Sequence, residues 1–328
     1  MEKPIFSLIE GEKPDNIALL SQVAHMYYDL GMLQPDIAEK LFFSRSKVSR
    51  ILKKAQDLGI VEIKVNRYLS RMRNYEKKLE ALPGLKKAIV MTNFDDADGE
   101  TAKDDLAACA AAYVSGEIKD AYVLGITCSR TVTRVVHKLT REHTCNLQVV
   151  QTIGSTTNRD MSGELTNAIA QTYGGTAHFL NAPLYVDDVY VKEALLRDPS
   201  IMEASKLMKH CNLLLMGVGK FDASGGDMPS WSGYMTPRHR EEMGRLGAVG
   251  SLCAQFFDIN GNLLDCDWNQ KCITIPWDDM KCADLRVAIA SGKTRVPSIM
   301  GALRTGIVDV LITDTVTAAC LLEAQQAK

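Results

Sequence analysis

Several features that would define other protein classes are missing from this chain. None of its 328 residues belong to an apolar run near the roughly 18 needed to span a bilayer. The opening stretch, MEKPIFSLIEGEKPDN, is too acidic and too poor in apolar residues for a signal peptide, so a cytoplasmic location is expected. The chain has 9 cysteines, an odd number, and no CxxC pair, which argues for reduced thiols and against a zinc site or disulfide frame. The 6 histidines (His25, His137, His143, His178, His210 and His239) show no ligand spacing, so no metal and no cofactor is expected. There is no internal repeat and no low-complexity tract. With 46% apolar residues the chain is globular, and it is long enough for two domains and at least one large core.

The formal net charge of -2 conceals an asymmetry: residues 44–78 hold eleven Lys or Arg against only Asp57, Glu62 and Glu76. A basic segment on a mildly acidic body is the electrostatic footprint of a nucleic-acid binder, although charge alone would fit a solvated helix face equally well. Periodicity favours the first reading. In residues 32–65, MLQPDIAEKLFFSRSKVSRILKKAQDLGIVEIKV, a helix carries Ile37, Ala38 and Leu41, and after a short break a second helix buries Val48, Ile51, Leu52, Ala55 and Leu58. Its opposite face presents Arg45, Ser46, Lys47, Ser49, Arg50, Lys53 and Lys54, types that suit phosphate oxygens and base edges in a major groove. Arg45, Ser46 and Ser49 lie early on this helix, where side chains reach bases. Lys53, Lys54 and Lys64 suit phosphates.

The punctuation agrees. Residues 17–30 form a first helix stopped by Gly31, Pro35 opens the next, Ser44 caps the third and Gly59 ends it. IVEIKV alternates as a strand would, giving a wing. The head is read as a winged helix-turn-helix over residues 1–66, and residues 67–84 as a linker helix with a thin apolar stripe (Tyr68, Leu69, Met72, Leu79, Leu82) that could pair with a symmetry mate.

From residue 85 to 328 the pattern changes. Apolar runs at 88–92, 121–126, 147–153, 211–218, 252–257, 272–275 and 308–313 alternate with helical segments at 104–115, 130–140, 163–173, 188–197, 200–210 and 297–305. This alternation predicts an α/β domain with a parallel sheet covered on both faces. GITCSRT at 125–131 ends a strand and opens a helix, where N–H groups and the helix dipole can receive an anion. Gly125 makes the turn, Thr127, Ser129 and Thr131 add hydroxyls, and Arg130 adds charge. An ordinary capped strand–helix turn would look the same. Gly154-Ser155-Thr156-Thr157 repeats the arrangement, and Gly217-Val-Gly219 ends a third strand, where ligands of open α/β sheets bind. Asp187, Asp188, Asp222 and Asp227 could bond sugar hydroxyls or simply cap helices and form turns. Trp231 and Trp268 could stack on a sugar or pack in the core.

From about Ala24 to the end, the chain resembles the SorC family of sugar-binding bacterial transcriptional regulators. The resemblance is carried by QPDIAEKLFFSRSKVSRILKKAQDLGIVEI in the head and, in order, by GITCSRTV, VVQTIGSTT, LNAPLYV, LLLMGVGKF, LGAVGSLCAQFFDINGN and VPSIMGALRTGIVDVLITDTVTA. It implies a Rossmann-like effector domain related in fold to sugar-phosphate isomerases, a phosphorylated sugar as effector, and dimers or tetramers on double-stranded operator DNA. By family position it adds Ser251 and Arg295 to the effector site. The sequence departs from the family in two places. Phe42 stands where the family's turn usually has Gly, so either the turn relaxes or Phe42 packs as a local staple. Arg295 stands where Lys is common, which keeps a charge for a phosphate but excludes Schiff-base chemistry. The expectation is a ligand-controlled repressor and not an enzyme. The alternative is an isomerase- or deaminase-like enzyme fused to a DNA-binding head, and a third reading is a DNA-binding scaffold that needs no effector.

Overall fold

The computed structural model describes residues 14–63, 70–93, 99–140, 145–155, 161–224 and 234–326. Its contacts divide the chain after residue 66 into two compact units.

The first unit is helical. Helix Pro14–Ala24 runs on into a π-helical turn, His25–Asp29, and stops at Gly31, whose φ is +64°. Helix Gln34–Lys40 has proline in its first turn, and Ser44 caps helix Arg45–Asp57 by accepting from the Lys47 N–H at 3.2 Å. Leu20, Val23, Ile37, Val48, Ile51 and Leu52 form the core, as the i, i+3, i+4 spacing predicts. Gln56 Nε2 donates to the Tyr28 hydroxyl at 2.8 Å, tying the third helix to the first.

Two expectations for this unit fail. Residues 60–63 form no strand. The N–H groups of Ile60 and Val61 both bond the Ala55 carbonyl, at 2.9 and 3.1 Å, closing the helix end and leaving neither donor for a ladder. The rest of the expected wing, Lys64 included, lies outside the described residues. At the turn, neither outcome foreseen for Phe42 occurs. Phe42 holds φ +55° and is 96% exposed, so the turn has not relaxed and the ring staples nothing. The Phe43 N–H reaches the Ala38 carbonyl (2.8 Å) and the Phe42 N–H the Glu39 carbonyl (3.2 Å), the two bonds of a Schellman motif. The third helix closes with the same pair, Ile60 to Ala55 (2.9 Å) and Gly59 to Gln56 (3.0 Å), around a glycine.

The second unit contains strands β1 Lys87–Met91, β2 Val123–Ile126, β3 Gln148–Gln151, β4 Thr176–His178, β5 Leu213–Gly217, β6 Gly219–Lys220, β7 Ala248–Leu252, β8 Gln255–Asp258, β9 Leu285–Ile289 and β10 Val310–Asp314. Seven of them form one sheet in the order β1-β10-β9-β5-β2-β3-β4, and every described pairing in it is parallel. Alternate side chains feed cores on opposite faces. Ile89, Met91, Leu213 and Leu215 pack on one side, and Ala88, Val90, Leu214 and Met216 on the other. Strands β6, β7 and β8 make a small antiparallel sheet, so the expected parallel run at 252–257 is a hairpin, and residues 272–275 contribute only isolated bridges.

The expected linker helix is shorter than predicted and belongs to this unit. Helix Arg73–Glu80 packs against β1, and Leu79 is fully buried in the main core. Glu76 is buried with it. Its carboxylate takes Arg71 (2.7 Å), Arg73 (3.1 Å) and the Val90 N–H (3.1 Å), pinning the segment to the sheet edge.

Candidate functional site

The strand order fixes where a ligand can enter. From β2 the chain moves outward through β3 and β4, and from the adjacent β5 it moves the opposite way, through β9 to β10. The loops after β2 and β5 therefore part company and leave a crevice outside the carboxyl ends of these strands, the usual ligand position in such sheets. A cleft of about 520 Å³, counted with its open mouth, lies there, lined by Thr127–Thr131 on one side, Gly217–Gly219 on the other, and Ser251, Cys253, Ala254 and Arg295 behind. Gly217 allows the close approach of the two loops: a Cβ at this position would sit 2.8 Å from Ser129 Oγ. Ser129 caps the following helix, Arg130–Val136, by accepting from the Val132 N–H at 3.2 Å.

Charge gathers at the mouth. Arg130 is exposed and Arg295 half-buried, and Arg295 Nη1 donates to the Val218 carbonyl at 3.1 Å. Both also line a neighbouring lobe of the crevice, with Glu100, Lys103, Arg134, Ser291, Gly292 and Thr294. Glu100 there is held below the ordinary carboxylate value, first by the hydrogen bond from Lys103 (2.7 Å) and then by Arg134, which also bonds Asp104 at 2.7 Å.

The floor of the cleft is a strained, well-pinned turn. Cys253 and Ala254 join β7 to β8 with φ of +45° and +64°. Two-residue hairpins of this kind normally use Asn-Gly or another glycine pair, and each non-glycine residue here costs about 1–2 kcal/mol. Neighbours hold the turn in place: Trp268 Nε1 donates to the Ala254 carbonyl (2.8 Å) and Thr274 Oγ1 to the Cys253 carbonyl (2.7 Å). Beneath it the buried Thr127 hydroxyl lies 2.9 Å from Thr152 Oγ1 and 3.0 Å from Cys253 Sγ. Burial pushes the Cys253 thiol up to about 11 against the opposing effect of those hydroxyls, so it stays protonated.

Of the residues read from the sequence, Thr127, Ser129, Arg130, Thr131, Gly217, Gly219, Ser251 and Arg295 meet in this one cleft. At the 125–131 junction the Thr127 N–H is already taken by the Leu215 carbonyl (3.2 Å), and just beyond it the Val132 N–H is taken by Ser129 Oγ (3.2 Å). Gly125 and Gly154 do not line the cleft. A Cβ on Gly125 would meet Cys211 Sγ at 2.8 Å, and one on Gly154 would meet the Pro183 carbonyl oxygen at 2.5 Å. Ser155 uses its N–H on the Ala182 carbonyl (2.8 Å) and its C=O on the Leu184 N–H (2.9 Å). Thr156 and Thr157 lie outside the described residues, as do Asp227, Trp231 and His143. Asp188 caps a helix through the Tyr190 N–H (2.7 Å), and Asp222 makes a turn with Ser224. Trp268 is fully buried, stacked on Tyr185 with ring centroids 4.9 Å apart, and is a core residue. Sequence reasoning missed Cys128, Val218, Cys253 and Ala254 and, apart from Arg130, Thr131 and Arg295, the lining of the neighbouring lobe. Among the described residues no cluster of His, Cys, Asp or Glu could hold a metal, and no helix is long and apolar enough to cross a membrane.

On the head, Arg45, Ser46, Lys47, Ser49, Arg50, Lys53 and Lys54 are all exposed, while Val48, Ile51, Leu52 and Ala55 are buried on the other side of the same helix. Lys47 Nζ sits 3.5 Å from the centre of the Phe43 ring, and Arg50 Nε reaches back to the Ser46 carbonyl at 3.4 Å.

Fold and cleft together define a doubly wound α/β domain with a ligand cleft at the switch point of its sheet. Residues 68–323 match the Sugar-bind family of sugar-binding domains. Over 322 residues the chain is 26% identical to the sorbitol operon regulator of Klebsiella pneumoniae, covering 95% of this chain and all of the relative. The crystal structure of that full-length regulator, SorC, superposes with a TM-score of 0.81 at 25% identity, covering 94% of this chain and 100% of that one. The deoxyribonucleoside regulator of Bacillus subtilis is 28% identical over 305 residues, 92% of this chain and 96% of that one. The chain belongs to the SorC family of sugar-binding transcriptional regulators.

Proposed function

We propose that this regulator is a DNA-binding repressor of a carbohydrate or nucleoside catabolic operon, and that a phosphorylated sugar occupies the switch-point cleft and relieves repression. The supporting observation is the convergence of Arg130, Arg295, Ser129 and Thr131 at one mouth above the ends of β2 and β5. Two guanidinium groups and two hydroxyls suit a phosphate monoester, and the deeper, largely neutral floor suits a polyol chain. The names of the relatives, a sorbitol operon regulator and a deoxyribonucleoside regulator, support the carbohydrate or nucleoside operon in this reading. Binding without turnover is the accompanying reading. Glu100, the carboxylate of the described crevice lining, is committed to Lys103 and Arg134, and the Cys253 thiol is protonated. The exposed basic face of helix Arg45–Asp57 serves operator DNA, two such helices on a symmetric cytoplasmic dimer or tetramer matching a palindrome.

The test is thermal unfolding of the purified protein against a panel of sugars and their phosphates. A true effector at a hundred times its Kd stabilises by about 2.7 kcal/mol. One sugar phosphate raises the melting temperature, its free sugar does not, and Arg295→Met abolishes the effect. No shift with any compound overturns the effector reading, and turnover of a shifting compound overturns the binding-only reading.

A further inference from the structure

Phe42 contradicts its surroundings in a way that stability does not explain. The same chain builds the same Schellman closure twice, around Gly59 at φ +69° and around Phe42 at φ +55°. Only the glycine adopts that backbone without strain. The ring gains nothing from packing, being 96% exposed, whereas its neighbour Phe43 is half-buried and lies under Lys47. Backbone strain combined with full exposure of a large apolar group points to a surface used by a partner. The adjoining helix sets the partner's chemistry. Two residues beyond Phe42, Ser44 caps the helix whose exposed residues are Arg45, Ser46, Lys47, Ser49, Arg50, Lys53 and Lys54, a face complementary to a polyanion.

We infer that Phe42 is a specificity-determining contact with operator DNA, an apolar group placed at the entrance to the recognition helix to meet a thymine 5-methyl in the major groove. Among base-edge groups in that groove the thymine methyl is the apolar one, and phenylalanine is one of the side chains that read it. The inference rests on the DNA-binding reading above. It predicts that the strain is retained because a glycine would fold better and discriminate worse.

The experiment uses the full chain and a duplex selected by the wild-type protein from random DNA, beside an unrelated duplex of equal length. Phe42→Gly and Phe42→Asn both accept the left-handed backbone. Each keeps the fold, and the glycine variant melts at or above the wild-type temperature. Each loses affinity for the selected duplex about five- to tenfold, the size of a single lost base contact, with little change on the unrelated duplex. Replacing thymines one at a time by uracil, which removes only the methyl, finds a position that weakens the wild type comparably and leaves Phe42→Gly unaffected. Equal affinities for both proteins overturn the inference, as would occur if the ring served a protein partner. Equal losses on both duplexes, or the lack of any Phe42-dependent thymine, overturn it as well. If the wild type selects no duplex at all, the DNA-binding reading fails and this inference with it.

Discussion

Asp309 shows how much one side chain can hold in this fold. Its carboxylate is buried at the start of the last strand pair, where Arg286 Nη2 reaches Oδ1 at 2.6 Å, Arg286 Nε reaches Oδ2 at 2.7 Å, and Lys86 Nζ adds 3.0 Å to Oδ1. Arg286 is itself mostly shielded, its side chain 11% exposed, so the pair has little water to fall back on. Burial works against the Asp309 charge, but Arg286 and Lys86 outweigh it and hold the carboxyl below its ordinary value of 3.8. A depressed carboxylate contributes stability above its unfolded pKa, and that stability is lost as pH falls through the lower folded pKa. Unfolding free energy measured by denaturant titration should therefore fall as pH drops below about 4. Asp309→Asn should cost about 3 kcal/mol at pH 7, because it strands a largely shielded guanidinium, and should flatten that acid limb. An unchanged limb in the variant would mean that other carboxylates carry the acid sensitivity. The same pair explains an oversight in the sequence reading. Strand β9, LRVAI, escapes a search for apolar runs because Arg286 interrupts it, and its partner lies far along the chain.

At the scale of elements, glycines separate positioning from packing. A methyl added at Gly217 meets Ser129 Oγ, a rotatable side-chain atom at 2.8 Å in the cleft, whereas one added at Gly154 meets the backbone of Pro183 and Leu184 at 2.5–2.7 Å, away from it. Gly154→Ala should cost about 1–3 kcal/mol of stability and leave the Kd of the sugar phosphate that stabilises the wild type nearly unchanged. Gly217→Ala should do the reverse, weakening that Kd at least about tenfold, or 1.4 kcal/mol, by displacing the Ser129 cap, with a smaller loss of stability. Calorimetric titration beside denaturant melts decides the matter, and the opposite pattern would place the ligand at Gly154. The sequence shows a glycine after each strand but not what stands beside it, so these two positions looked equivalent. What could be read was whatever repeats locally: the buried stripe of helix Arg45–Asp57, the Ser44 cap, the Gly59 stop and the edges of β1, β2, β3, β5 and β10. What could not be read depends on contacts between distant segments or breaks a local rule. The β7–β8 hairpin turns on Cys253-Ala254, a dipeptide that signals no turn, and helix Arg73–Glu80 looks like a charged linker until Glu76 is seen inside the sheet edge.

At the scale of the whole molecule, a ligand-controlled regulator needs its two compact units to share one free-energy balance. A sugar phosphate can weaken operator binding only by as much as it prefers the state that binds DNA poorly, and linkage makes the coupling mutual. Saturating effector should weaken operator affinity by a factor of about 5–150, and saturating operator should weaken effector affinity by the same factor. Both arms are measurable on one preparation, by fluorescence anisotropy of a labelled operator and by calorimetric titration of the effector with and without DNA. Salt must be held fixed, because each phosphate neutralised by the basic helix contributes a slope of about −0.9 in log affinity against log salt and would otherwise pass for coupling. Arg295→Met should abolish both arms together, since it removes the ligand's charge partner and leaves every residue of helix Arg45–Asp57 unchanged. A variant that binds no effector yet is still released from operator by the compound would show that release does not proceed through the cleft. Unequal factors in the wild type would mean that a third equilibrium, such as assembly of the oligomer, takes part in the exchange.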